Sequence, residues 1–186
     1  QRIIHPEFLP IYEIGYQKEL DLCYVVTPFF PGESLKNYLV RKGPLPLPEA
    51  RQIVRNIAEK LAILHRYGYV CRNLTPGNLL RGYDGKMRIT SFFLMKTDVS
   101  MTGNARMVIP NYTAPEQVDN PACVDICADI FSLGAIFYTI LLGEPPFNSV
   151  TVRQYIDSVN AGASIEAKEI EEIAPHLSEE VARQIA

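Results

Sequence analysis

Tyr69-Val70-Cys71-Arg72-Asn73-Leu74-Thr75-Pro76-Gly77-Asn78-Leu79-Leu80 decides how the rest of the chain reads. The stretch predicts a short β segment, a polar loop and a second β segment. Its ends are apolar, and its middle gathers Arg72, Asn73, Thr75 and Asn78 around the turn-forming Pro76-Gly77. A loop dense in hydrogen-bonding side chains between apolar ends is a place where chemistry can be set. Asn73 occupies its centre, and an amide is neither charged nor a base.

Upstream, Ala50, Ile53, Val54, Ile57, Ala58, Leu61 and Leu64 recur at three- and four-residue intervals. That spacing predicts an amphipathic helix from Pro48 to Tyr67, with proline in its first turn and Gly68 at its end. His65 could serve as a base, but a packed or capping histidine is the reading preferred. Before the helix, Pro44, Pro46 and Pro48 mark a loop. A shorter helix is predicted over Leu35 to Arg41, opened by Gly32-Glu33-Ser34-Leu35, capped by Ser34 and stopped at Gly43. Phe8 to Ile14 and Cys23 to Thr27 read as two strands of a hairpin, joined by a turn at Gly15 to Asp21. Residues 1–7 hold no regular pattern.

Downstream come a turn at Tyr83-Asp84-Gly85, a strand from Met87 to Thr90, and Ser91-Phe92-Phe93. Residues 94–111 are polar and irregular. Asp129-Ile130-Phe131-Ser132-Leu133-Gly134 opens a helix whose residues, Ile130 to Leu142, are apolar on nearly every side, as for a helix buried all round. An unpaired Asp129 would be expensive to bury there. Gly143 to Phe147 ends this helix. Val152 to Val159 predicts another amphipathic helix, and Ser178 caps a last one from Glu179 to Ile185.

The 186 residues, 47% hydrophobic and 21% charged, suit one globular domain with a sizeable core. A net charge of −3 gives no basic footprint, so nucleic acid is not an expected partner. The longest apolar run, Leu133 to Leu142, is too short to span a bilayer, and no secretory signal opens the chain. Of four cysteines, Cys123 and Cys127 would share a helix face, but no histidine or second pair has ligand spacing for zinc. Buried, reduced thiols are the preferred reading, and the expected location is cytoplasmic.

Arg72, Leu74, Pro76, Asn78 and Leu80 fit the pattern His-Arg-Asp-Leu-Lys-Pro-x-Asn-x-Leu. Ser91-Phe92-Phe93, Ala114-Pro115-Glu116 and the Asp129 segment follow in the right order and spacing. On these four motifs the chain resembles the protein kinase family, in the style of bacterial Ser/Thr kinases, from about His5 to its C-terminus. The resemblance implies an α+β, protein-kinase-like fold: a mainly helical large lobe with a remnant β-hairpin of the small lobe. Residues 1–30 would be that remnant and the hinge, and residues 31–186 an incomplete large lobe. No Gly-x-Gly-x-x-Gly loop and no Val-Ala-x-Lys strand occurs, so the chain reads as a trimmed piece of a longer protein.

The same resemblance assigns roles. Thr27 would be the gatekeeper, Phe29 and Phe30 part of the hinge, and Leu80 a further residue of the nucleotide pocket. Pro28 has no N–H to offer adenine. Cys71 stands where the family has His, Asn73 where it has the base Asp, Thr75 where it has Lys, and Ser91 where it has the magnesium-holding Asp. Phe93 replaces the flipping Gly, Val108-Ile109 replace Gly-Thr, and Phe92 would stack against Cys71. Residues 94–111 would be the activation segment, with Thr97, Ser100 and Thr102 as candidate phosphoacceptors. Arg72, Asn78, Glu116 and Asp129 would keep structural roles. Asp129 would accept backbone N–H groups of the loop, and Glu116 would pair with a late arginine. No metal site is implied beyond a residual Asn78.

Phosphoryl transfer is positioning plus charge stabilisation. Loss of a general base alone typically costs about 10²–10⁴-fold, and magnesium usually wants a carboxylate. The reading is therefore a non-catalytic kinase-like domain, a pseudokinase, acting as a protein-interaction or regulatory signalling module. The alternatives are an ATP-dependent Ser/Thr kinase with rearranged catalytic residues, for which Asp98 is the nearest spare carboxylate, and a nucleotide-binding sensor without transfer. No cofactor is expected; ATP and magnesium enter only under the alternatives. The expected partner is a protein, or a second copy, bound through the hairpin edge.

Overall fold

A computed structural model describes residues 8–90, 108–119, 124–147 and 151–161. In chain order these form β1 (Glu13–Gln17), β2 (Leu22–Val26), β3 (Gly32–Ser34), α1 (Leu35–Lys42) and α2 (Leu47–Arg66). A 3-10 turn (Pro76–Asn78), β4 (Leu79–Gly82), β5 (Met87–Ile89), α3 (Pro115–Asp119), α4 (Cys127–Leu142) and α5 (Val152–Asn160) follow. The strands make two antiparallel sheets, β1-β2 and β3-β4-β5. The class is α+β.

The hairpin is shifted from the predicted one. Its ladder runs from Glu13↔Val26 to Gln17↔Leu22, so the turn holds only Lys18 to Asp21. Pro10 has no N–H for a ladder, and Phe8 is instead buried in the main core. The hairpin leaves Ile14, Tyr16, Leu22, Tyr24 and Val26 exposed.

β3 is a strand that the sequence reading folded into the start of α1. It pairs Gly32↔Gly82 and Ser34↔Leu80. A Cβ at Gly32 would stand 2.3 Å from the Arg81 carbonyl oxygen and 2.7 Å from the Phe30 ring. Only glycine lets the two backbones close to this distance. The chain then turns directly into α1: the Ser34 hydroxyl accepts the Asn37 N–H at 3.1 Å, and Gly43, at φ 76°, ends the helix with its N–H on Leu39.

α2 carries the core. Ala50, Ile53, Ile57, Leu61 and Leu64 form its buried stripe, packed with Leu35, Leu74, Leu79, Met87, Ile89, Ile136 and Ile140 from α1, the loop, the second sheet and α4. Each large side chain so buried is worth about 1.5–3 kcal/mol. Asn56 fastens α2 to the second sheet, its Oδ1 accepting the Met87 N–H at 2.8 Å.

α4 packs beside α2 but is not buried all round. Ile130 is 55% exposed, and Gly134 faces solvent too. The opposite face buries Asp129, Ser132, Ile136, Thr139 and Ile140. Its hydroxyls return bonds to the helix itself, Ser132 to the Ala128 carbonyl and Thr139 to the Ala135 carbonyl. α5 is anchored by buried Tyr155, whose hydroxyl donates to the Thr113 carbonyl.

Residues 69–70 make no strand. The Tyr69 N–H goes back to the Leu64 carbonyl, and the Cys71 and Arg72 N–H groups go to the Asp129 side chain on α4 rather than to a ladder. Ser91 to Phe93, the candidate phosphoacceptors and the predicted last helix lie outside the described residues. Among the described residues no helix is long and apolar enough to cross a membrane.

Candidate functional site

Asp129, fully buried on the first turn of α4, organises the 69–80 loop. One carboxylate oxygen accepts the Cys71 N–H and the other the Arg72 N–H, both at 2.8 Å. His65, in the last turn of α2, places Nε2 2.8 Å from the first oxygen. The carboxylate thus joins α2, the loop and α4, and its hydrogen bonds offset the burial that the sequence made costly.

Arg72 has φ 61°, a left-handed backbone that a non-glycine residue adopts at about 1–2 kcal/mol. Both of its peptide groups are clamped. Asp129 takes its N–H, and the Gln117 side-chain amide donates to its carbonyl at 2.8 Å. The sharp backbone turn is what throws the following residues across the front of the core. The Arg72 side chain reaches the Val124 carbonyl at 3.3 Å, while its buried Nε has no hydrogen-bond partner among the described residues. Desolvation lowers the guanidinium pKa, and Asp129 opposes that shift.

The loop's chemistry is muted. Cys71 is buried, and its thiol is pushed up to about 12, first by desolvation and then by the Asp129 charge. A thiol held protonated is no nucleophile. Asn73 and Thr75 are buried, and Leu74 plugs the core. Asn78 turns its amide inward: Nδ2 donates to the Asn73 carbonyl at 3.0 Å, bracing the loop. The Asn78 carbonyl accepts both the N–H and the hydroxyl of Thr90.

Of the four residues predicted for a nucleotide pocket, Phe30 and Leu80 both neighbour Arg88. Thr27 is exposed and Phe29 is 91% exposed. Phe30 lies over the second sheet, with the Arg88 guanidinium 4.7 Å from its ring centroid. Leu80 is half-buried in β4 opposite Ser34 and Arg88. Glu116 is exposed at the start of α3, and Ser91 lies outside the described residues.

Two supporting residues escaped the sequence reading. His65 was assigned to packing without its Asp129 partner; its place in the last turn of α2, just before the loop, was the available signal. Gln117 gave none, because nothing local connects it to a carbonyl 45 residues earlier.

A family model for the protein kinase domain matches residues 1–185. The chain belongs to the protein kinase family. Among its curated relatives is a serine/threonine-protein kinase of Corynebacterium efficiens, drp72, 31% identical over 87% of this chain and 30% of that protein. The serine/threonine-protein kinase PknB of Mycobacterium leprae is 29% identical over 77% of this chain and 24% of its own length. PrkC of Bacillus subtilis, also a serine/threonine-protein kinase, is 31% identical over 77% of this chain and 22% of its own length. This kinase-family chain therefore spans less than a third of the length of these relatives.

Proposed function

We propose that this kinase-family chain is a non-catalytic signalling module, a pseudokinase that works by presenting surfaces to other proteins. The observation carrying this reading is Asn73. It sits, buried, in a loop whose supports are complete: Asp129 on two backbone donors, Gln117 on Arg72, and Asn78 on the Asn73 carbonyl. The loop is held firmly, yet the residue that the resemblance puts at the base position cannot take a proton from an acceptor hydroxyl. Among the described residues, the carboxylate that contacts this loop is Asp129, and it is turned onto Cys71 and Arg72 rather than toward a substrate. It cannot stand in for the missing base.

The donor set for a magnesium–nucleotide complex fits poorly too. At the family's metal positions Asn78 offers a neutral amide already braced on Asn73, and Ser91 a neutral hydroxyl. Magnesium gives up its water reluctantly for ligands without charge. Thr75 brings no ammonium to neutralise a migrating phosphoryl group.

Calorimetric titration with ATP, in the presence and absence of magnesium, tests the reading. Heat that is absent in both, or identical with and without the metal, accords with a module lacking metal-assisted transfer. Binding that strengthens at least tenfold with magnesium favours a rearranged kinase.

A further inference from the structure

A cleft of about 800 Å³ runs between the N-terminal half of α2 and the β4–β5 turn. None of its lining residues belongs to the 69–80 loop. Four cations line it: Arg51 and Arg55 on exposed helix positions, Lys86 on the turn, and Arg81 on β4. Among the described residues none of the four makes an ion pair.

Three acids, Glu49, Glu59 and Asp84, share the cleft and leave it one positive charge in excess, with Asp84 also acting on Lys86 through its charge. Glu49 accepts the Tyr38 hydroxyl at 2.7 Å. Asp84 is taken up by Arg88 at 3.2 Å and by the backbone N–H of Lys86. Arg81 is half-buried, its Nε shielded from water and without a hydrogen-bond partner among the described residues. Its guanidinium lies over the Tyr38 ring, 4.4 Å from the centroid. Arg81 is therefore preset, partly desolvated and, among the described residues, without an anion. Charge–charge pairing is strongest for a group in that condition.

We infer that this cleft docks an acidic segment of a partner protein. Carboxylates would meet Arg81 at one wall and Arg51 and Arg55 along the helix. The chain as a whole carries −3, so an acidic partner is repelled elsewhere and steered to this cationic groove. Nucleic acid fits less well, because a continuous phosphate backbone would run onto Glu49 and Glu59, whereas spaced carboxylates can avoid them.

The probe is a fluorescein-labelled peptide of alternating Glu and Ala, followed by anisotropy at low salt, with a Gln–Ala peptide as control. Binding of the Glu peptide alone is expected. It should weaken about tenfold or more in the double variant Arg51→Glu with Arg55→Glu, whose positions are exposed and leave folding intact, and fall as salt rises. Arg81→Met, which keeps a side chain over Tyr38, should weaken it about as much. Melting curves establish that each variant is folded. The inference is overturned by no binding to wild type, by equal binding to the folded variants, or by complete displacement with millimolar inorganic phosphate, which would mark a simple anion site.

Discussion

His65 Nε2 lies 2.8 Å from Asp129 Oδ2, the oxygen that also accepts the Cys71 N–H. The contact ties the end of one core helix to the start of another, 64 residues later. Asp129→Ala strips the acceptor from two buried N–H groups and from the imidazole at once. Removing one partner from a buried charged network typically costs about 3–5 kcal/mol. His65→Ala leaves both backbone bonds in place and should cost only about 1 kcal/mol. Urea denaturation of both variants measures the two costs. Equal losses would mean that the carboxylate is held by the histidine rather than by the loop.

Gly32 is the tightest point between β3 and β4. A methyl group there meets the Arg81 carbonyl at 2.3 Å, and backbone cannot swing aside as a side chain can. Gly32→Ala should therefore destabilise by about 1–3 kcal/mol, in the range of overpacked sites. Gly77→Ala is the control, because its added Cβ meets only the Thr75 hydroxyl at 3.6 Å. Thermal melts of the pair read the difference, and similar melting temperatures would remove the β3–β4 register from the account.

Much of this architecture was legible in the chain. The stripe from Ala50 to Leu64 specified α2 because its spacing follows one face of a helix. Ser34 and Gly43 bounded α1 because their backbone chemistry is local. A carboxylate in an apolar helix demands partners, and the resemblance to the kinase family named the loop's N–H groups as those of Asp129. What failed was non-local. Gly32 to Ser34 is a strand only because β4 lies alongside it. Tyr69 and Val70 look like a strand, yet their neighbours' donors belong to α4. The hairpin slipped because Phe8 finds the core. The Gln117 clamp on Arg72 depends on two segments meeting, and neither residue announces it.

Cys71 and Cys127 should react differently. Cys71 is buried with its thiol raised to about 12 by desolvation, whereas Cys127 is exposed, its thiol raised by Asp125 alongside. Iodoacetamide at pH 8 followed by peptide mapping should find Cys127 modified in the folded protein and Cys71 only after unfolding. The sign of the linkage also follows. Cys71 keeps its proton in the folded state and loses it near 9.0 when unfolded. Its contribution is fully present below 9.0 and is lost as pH rises from there toward about 12. Cys71→Ala should flatten that alkaline decline. Rapid native labelling of Cys71 would contradict the burial on which both outcomes rest.

The most direct test of the central claim is transfer of γ-phosphate from ATP to a generic protein substrate, with a bona fide kinase as control. The longest soluble form of the protein carrying the 69–80 loop is assayed with magnesium, as wild type and as the double variant Asn73→Asp with Ser91→Asp. The account predicts no magnesium-dependent transfer by wild type. It predicts at most slight activity in the double variant, since Thr75, Phe93 and Ile109 still depart from the family's pattern. Robust wild-type transfer that vanishes on Asn78→Ala would contradict it and make this chain a kinase with rearranged catalytic residues.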